Sequence, residues 1–178
     1  MAEAVVFPGG TSGPMMALTK YAGEVAARRG ASVHRHTWSG RPPMPWGPDL
    51  ERWVCAEAIG VLHEVGGRPL LIGKSLGSLV APVAADRVLP AVWLTPLLTE
   101  SWAAAALSRA TAPLLLVGGT ADLWWDGALA RSLSPYVLEV AGADHNLDVP
   151  GPVTDSIAVL ARMAGAVEEF LDAIGWPG

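Results

Sequence analysis

The segment Gly73-Lys74-Ser75-Leu76-Gly77 sets a hydroxyl between two glycines, directly after the apolar run Leu70-Leu71-Ile72 and ahead of a helical pattern. This is the signature of a nucleophile elbow, a sharp strand-to-helix turn whose flanking positions have no room for a side chain. A serine hydroxyl becomes a useful nucleophile only when a base takes its proton, and the base works best when a carboxylate holds its tautomer. Partners of such an elbow follow in the order acid, then histidine. His145 is the one histidine after Ser75, in Ala141-Gly142-Ala143-Asp144-His145-Asn146, and is the candidate base. Asp122 follows the apolar run Leu115-Leu116-Val117 and the pair Gly118-Gly119, which makes it the candidate acid. Asp126, Asp144 and Asp148 compete for that role. Asp126 suits a helix start, and Asp144 and Asp148 lie too near His145 in sequence to reach its far ring nitrogen with ease.

Attack on a carbonyl builds negative charge on its oxygen, and two backbone NH donors in fixed positions would stabilise it, each by about 3 kcal/mol. The NH of Leu76, directly after the serine, is one candidate. The other lies in the glycine-rich loop Pro8-Gly9-Gly10-Thr11-Ser12-Gly13-Pro14, at Gly10 or at Thr11. This loop lacks the Gly-Lys-Ser/Thr ending of a P-loop and the glycine spacing of a dinucleotide fingerprint.

These groups need a scaffold that brings distant loops together. Short apolar runs alternate with longer helical patterns throughout, which implies an α/β fold: a three-layer α/β/α sandwich on a mainly parallel six-stranded sheet. Strands are expected over 4–7, 32–36, 69–72, 91–94, 113–117 and 136–140, and helices over 15–29, 50–65, 76–86, 102–108, 127–132 and 155–174. Gly30 and Gly66 suit left-handed helix ends, and Asp49 suits the cap of the second helix. In the last helix Ile157, Leu160, Ala164, Val167, Leu171 and Ile174 recur at intervals of three or four, a stripe expected to face the sheet. Residues 95–112 leave room for one helix but not for a lid domain, so an open site is expected.

Composition narrows the function classes. The 178 residues are 51% hydrophobic and 16% charged, as expected of one globular domain spanning 1–178. The net charge of -5 is spread along the chain and no basic run occurs, so nucleic acid is an unexpected partner. Cys55 is the sole cysteine, and it falls in a helical pattern that suggests a buried thiol. That usage excludes an internal disulfide and suits a reducing, cytoplasmic location. No basic-then-apolar leader and no run of about 18 apolar residues is present, so neither export nor a membrane partner is expected.

Taken together, the residues at Ser75, Asp122 and His145, with the glycine-rich loop after the first strand, resemble the α/β-hydrolase family, in particular its small lidless members. The resemblance extends over nearly the whole chain. It implies a minimal α/β-hydrolase fold and a serine hydrolase that cleaves an ester or thioester through an acyl-enzyme, with no cofactor and no metal. The same family hosts cyclases, acyltransferases and binding modules that do not hydrolyse, which stand as alternatives. Its first loop usually begins His-Gly, whereas here it begins Pro8-Gly9, without the side chain that helps order the loop.

Weaker signals surround this set. Trp38, Trp46, Trp102, Trp124 and Trp125 fall on or near loops leaving strand ends, and the first four are candidates for an aromatic wall around a small-molecule substrate. The stretch Arg41-Pro42-Pro43-Met44-Pro45-Trp46-Gly47-Pro48, stiffened by proline, suits one wall of that site. Lys74 is one of only two lysines and is expected to point sideways from the elbow, toward a carboxylate or an anionic substrate. His34 and His36 share a strand face with no carboxylate partner evident in the sequence.

Overall fold

The computed structural model describes all residues from Met1 to Gly178. Six strands, β1 (Glu3–Phe7), β2 (Ser32–Arg35), β3 (Leu70–Lys74), β4 (Ala91–Leu94), β5 (Leu114–Gly119) and β6 (Tyr136–Val140), form one sheet in the order β2-β1-β3-β4-β5-β6. Every pair is parallel. Six α-helices connect and cover them: α1 (Ala17–Arg28), α2 (Pro48–Val65), α3 (Ala81–Arg87), α4 (Ser101–Ser108), α5 (Gly127–Leu133) and α6 (Val153–Ala173).

Strand side chains alternate between the two faces of a sheet, so a sheet covered on both sides must be apolar at consecutive positions. Val5, Phe7, Leu71, Trp93, Leu114 and Leu116 join one buried cluster with residues of α2, α3, α4 and α5. Their neighbours Ala4, Val6, Leu70, Ile72, Val92, Leu94, Leu115 and Val117 join a second cluster with α1 and α6. The three layers follow from this division.

The connection after β1 runs through α1 on one face to β2, and the connection after β2 runs through α2 on the other face to β3. The strand order therefore reverses beside β1, and the loops leaving the C-terminal ends of β1 and β3 become neighbours across the gap. Such a switch point is where open α/β sheets place their sites.

Strands β4 and β6 match the sequence expectation to the residue, while several helices differ. The helix expected over 76–86 is instead a 3₁₀ segment over Ser75–Val80 followed by α3. Pro82 cannot donate to a carbonyl one turn back, so the chain tightens before the α-helix starts with that proline in its first turn. Asp49 does not cap α2: Gly47 holds the cap position, Pro48 opens the helix and Asp49 pairs with Arg52 in the first turn. Gly30 and Gly66 do end α1 and α2, at φ 85° and 69°. The buried stripe of α6 is Val159, Met163, Val167, Phe170 and Leu171, so Ile157, at 58% exposure, faces solvent. The rest of the expected stripe does face the sheet, since Leu160, Ala164 and Ile174 pack against the same cluster, and Val159, Met163 and Phe170 widen the covered face, with Phe170 edge-on to Tyr136 at 5.1 Å.

Between β4 and β5 only α4 intervenes, and no lid is present. No helix is long and apolar enough to cross a membrane.

Candidate active site

Ser75 begins directly where β3 ends, and its φ of 51° places it in the left-handed region that a non-glycine residue rarely adopts. The flanking glycines show why the turn closes so tightly. A Cβ on Gly77 would fall on the Phe7 carbonyl oxygen of β1, and one on Gly73 would fall on the Gly77 carbonyl and lie 2.7 Å from the Trp93 ring. The Ser78 hydroxyl donates to the Ser75 carbonyl at 2.6 Å and fastens the turn from below.

The loop after β5 carries Asp122 and the loop after β6 carries His145, and the two are joined backbone to backbone. Thr120 NH donates to the Val140 carbonyl at 3.0 Å, Ala121 NH to the Ala143 carbonyl at 3.0 Å, and Gly142 NH to the Thr120 hydroxyl at 2.8 Å. Gly119 is required by this closeness, since a Cβ there would meet the Ala143 carbonyl. Within the histidine loop Asp144 accepts from the NH groups of Asn146 and Asp148 at 2.7 and 3.1 Å, an Asx turn that presents His145. This structural duty accounts for Asp144, and Asp126 caps α5 by accepting from Leu129 NH at 2.9 Å.

Ser75, His145 and Asp122 meet in a continuous chain of hydrogen bonds. His145 Nε2 lies 2.8 Å from Ser75 Oγ, and His145 Nδ1 lies 2.7 Å from Asp122 Oδ2. The Asp122 side chain is fully buried, and its other oxygen accepts from Trp124 NH at 3.0 Å. An ionised carboxylate only accepts, so Nδ1 carries the ring proton and Nε2 is left to accept from the serine hydroxyl.

Gly10 packs against Leu76, and a Cβ at this glycine would lie 3.5 Å from Leu76 Cδ2, so the glycine-rich loop faces the residue after the serine. The NH groups of Gly10 and Thr11 form no hydrogen bond within the chain.

The tryptophans divide. Trp124 stands edge-on to His145 with ring centroids 4.6 Å apart, and Trp46 packs on Trp124 at 5.8 Å. Trp38 instead packs among Phe7, His36 and Trp53, and its indole NH donates to the Pro8 carbonyl at 3.3 Å, which braces the glycine-rich loop. Trp102 turns its indole NH to Glu100 on α4's own entry, at 3.1 Å, and packs on the helical core. Trp125 is buried over Gly118 and donates to Glu139 at 2.7 Å.

Two other expectations are corrected. His34 and His36 do have carboxylate partners, Glu3 at 2.8 Å and Glu57 at 3.1 Å; Glu3 comes from the neighbouring strand and Glu57 from α2, invisible in the local pattern. Lys74 reaches neither open solvent nor a carboxylate: it is 6% exposed, and its ammonium donates to Asn146 Oδ1 at 3.2 Å. Burial pushes the Lys74 amine below its ordinary value, against the opposing pull of Asp122 and Asp144.

No family model matches the chain, and no curated protein matches it. Solved structures do. Est1E from Butyrivibrio proteoclasticus superposes with a TM-score of 0.76 at 15% identity, over 97% of this chain and 88% of its own. A protein from Xanthomonas campestris pv. campestris described as of the alpha/beta hydrolase superfamily gives 0.74 at 20% identity, over 97% and 99%. A protein from Xanthomonas campestris described as an α/β serine hydrolase without lid gives 0.69 at 17% identity, over 99% and 83%. The chain has the α/β-hydrolase fold in its lidless form.

Proposed function

We propose that this protein is a serine hydrolase that cleaves a carboxylic ester or thioester through an acyl-enzyme. The observation that carries the reading is the unbroken Ser75–His145–Asp122 chain, with contacts of 2.8 and 2.7 Å. In this reading Ser75 Oγ attacks the carbonyl carbon while His145 Nε2 takes its proton, and the buried Asp122 stabilises the imidazolium that forms. The NH groups of Leu76 and of Gly10 or Thr11 hold the oxyanion. His145 then returns the proton to the leaving alcohol or thiol, and a water activated by the same ring releases the acid.

The pair Trp46 and Trp124 beside His145 favours substrates with an apolar acyl or leaving group. Hydrolysis of p-nitrophenyl esters and of an acyl thioester, with product masses recorded, tests the proposal. The expected result is free acid bearing one added water, and a loss of about 10⁴ to 10⁶ in kcat on Ser75→Ala. Undiminished turnover in the folded Ser75→Ala variant would overturn the mechanism. A product without added water would replace hydrolysis by cyclisation or transfer.

A further inference from the structure

Lys74 is buried with one hydrogen-bond partner, a neutral amide, and even with Asp122 and Asp144 nearby this is a costly arrangement that an apolar side chain of similar length would avoid. Its stem runs beneath the glycine-rich loop, where a Cβ on Gly9 would lie 3.3 Å from Lys74 Cδ. Its head reaches Asn146. Lys74 directly precedes Ser75, and Asn146 directly follows His145. The Lys74–Asn146 bond therefore spans the same gap as the Ser75–His145 contact, one residue removed on each side.

The histidine loop is otherwise fixed to the acid's side of the site. Its bonds from Ala143 and Gly142 run to Ala121 and Thr120 on the loop after β5, and its remaining ties are internal or to α6 through Ser156. Toward β3 it has only two side-chain hydrogen bonds, the one between His145 and Ser75 and the one between Asn146 and Lys74. The first must break and re-form as a proton moves and an acyl group arrives. The second is free to persist, and the lysine end of it is buried.

We propose that Lys74 and Asn146 are a positioning pair, a tether that keeps His145 in register with Ser75 while the triad's own contact is interrupted. The inference rests on the reading of Ser75 as nucleophile and His145 as base. Neither residue touches the reacting atoms. Their effect is on how often the imidazole is found at bonding distance, so it belongs in the rate of acylation rather than in ester binding.

The test is rapid-mixing kinetics with p-nitrophenyl acetate on the full chain, comparing wild type with Lys74→Met, Asn146→Ala, the double variant and Asn146→Asp. Lys74→Met and Asn146→Ala are expected to lower the saturating acylation rate by about 10- to 100-fold, the scale of a misplaced catalytic group, with half-saturating ester changed less than about twofold. The double variant should lose no more than the worse single variant, since both remove one bond. Asn146→Asp keeps an acceptor for the ammonium and should stay within about threefold of wild type.

Wild-type acylation in Asn146→Ala, losses that multiply in the double variant, or a loss confined to half-saturation would each overturn the tether. Should Lys74→Met fail to fold, the exposed Asn146 still decides through its Ala and Asp variants. Failure of the underlying reading looks different: wild type would show no burst, or Ser75→Ala would turn over undiminished, and the tether would fall with it.

Discussion

Replacing Asp122 by asparagine changes one atom in a fully buried side chain, and the groups around it dictate how the new amide must sit. Oδ1 accepts from Trp124 NH at 3.0 Å, so the amide must keep its oxygen there, because an NH₂ group would set donor against donor. The NH₂ then faces His145 Nδ1 across the 2.7 Å contact that Oδ2 now occupies. Nδ1 is forced to accept and the ring proton moves to Nε2, where it points at the serine hydroxyl it should receive from. The proposed base would then be present, well placed and in the wrong tautomer. A loss of about 10⁴ in kcat is expected for this change, or about 5.4 kcal/mol at 1.36 kcal/mol per tenfold. Steady-state hydrolysis of p-nitrophenyl butyrate measures it, with a urea midpoint near that of wild type to show that the fold is kept. A folded Asp122→Asn variant within about tenfold of wild type would refute the assignment of Asp122 as the group that sets the tautomer.

The same geometry carries two more expected outcomes. Gly77→Ala would drive a methyl into the Phe7 carbonyl of β1, with no flexible group to give way, so a stability loss of about 1–3 kcal/mol or failure to fold is expected in urea titration. Cys55 donates to the Leu79 carbonyl at 3.4 Å, and burial pushes its thiol up to about 12, so a thiol reagent should leave it unmodified at neutral pH until denaturant is added. The raised value also means that the unfolded chain loses this proton first as pH rises. Stability should therefore fall from the ordinary thiol range up to about 12, and Cys55→Ala should remove that part of the slope.

What the sequence makes legible is local. The elbow shows because Gly73 and Gly77 are compelled by a backbone contact within a few residues and by the two neighbouring strands, at Phe7 and Trp93. The strands show because both faces of the sheet are buried, which turns them into continuous apolar runs such as Leu115-Leu116-Val117. Asp122 and His145 can be picked out because each lies just past such a run. The hidden features depend on which element lies across the gap. Lys74 reads as a surface charge until the loop after β6 brings Asn146 to it. Glu3 and Glu57 are invisible as partners of His34 and His36 until β1 and α2 are in place. Most of the α6 face is legible from spacing, but its first turns are not: Ile157 fits the stripe and faces solvent, while Val159 and Met163 are buried beside it. Trp38 and Trp102 share the chemistry of Trp46 and Trp124, and nothing local distinguishes a tryptophan that braces a loop from one that stands over His145.

In the proposed mechanism Ser75 owes its reactivity to His145. Labelling the purified protein with a fluorophosphonate and mapping the adduct by mass, beside the His145→Ala variant, tests it most directly. The expected result is one adduct, on the peptide containing Ser75, formed in wild type and suppressed in His145→Ala. Well-folded wild-type protein that takes no label, or label at Ser75 that forms equally fast without His145, would contradict it.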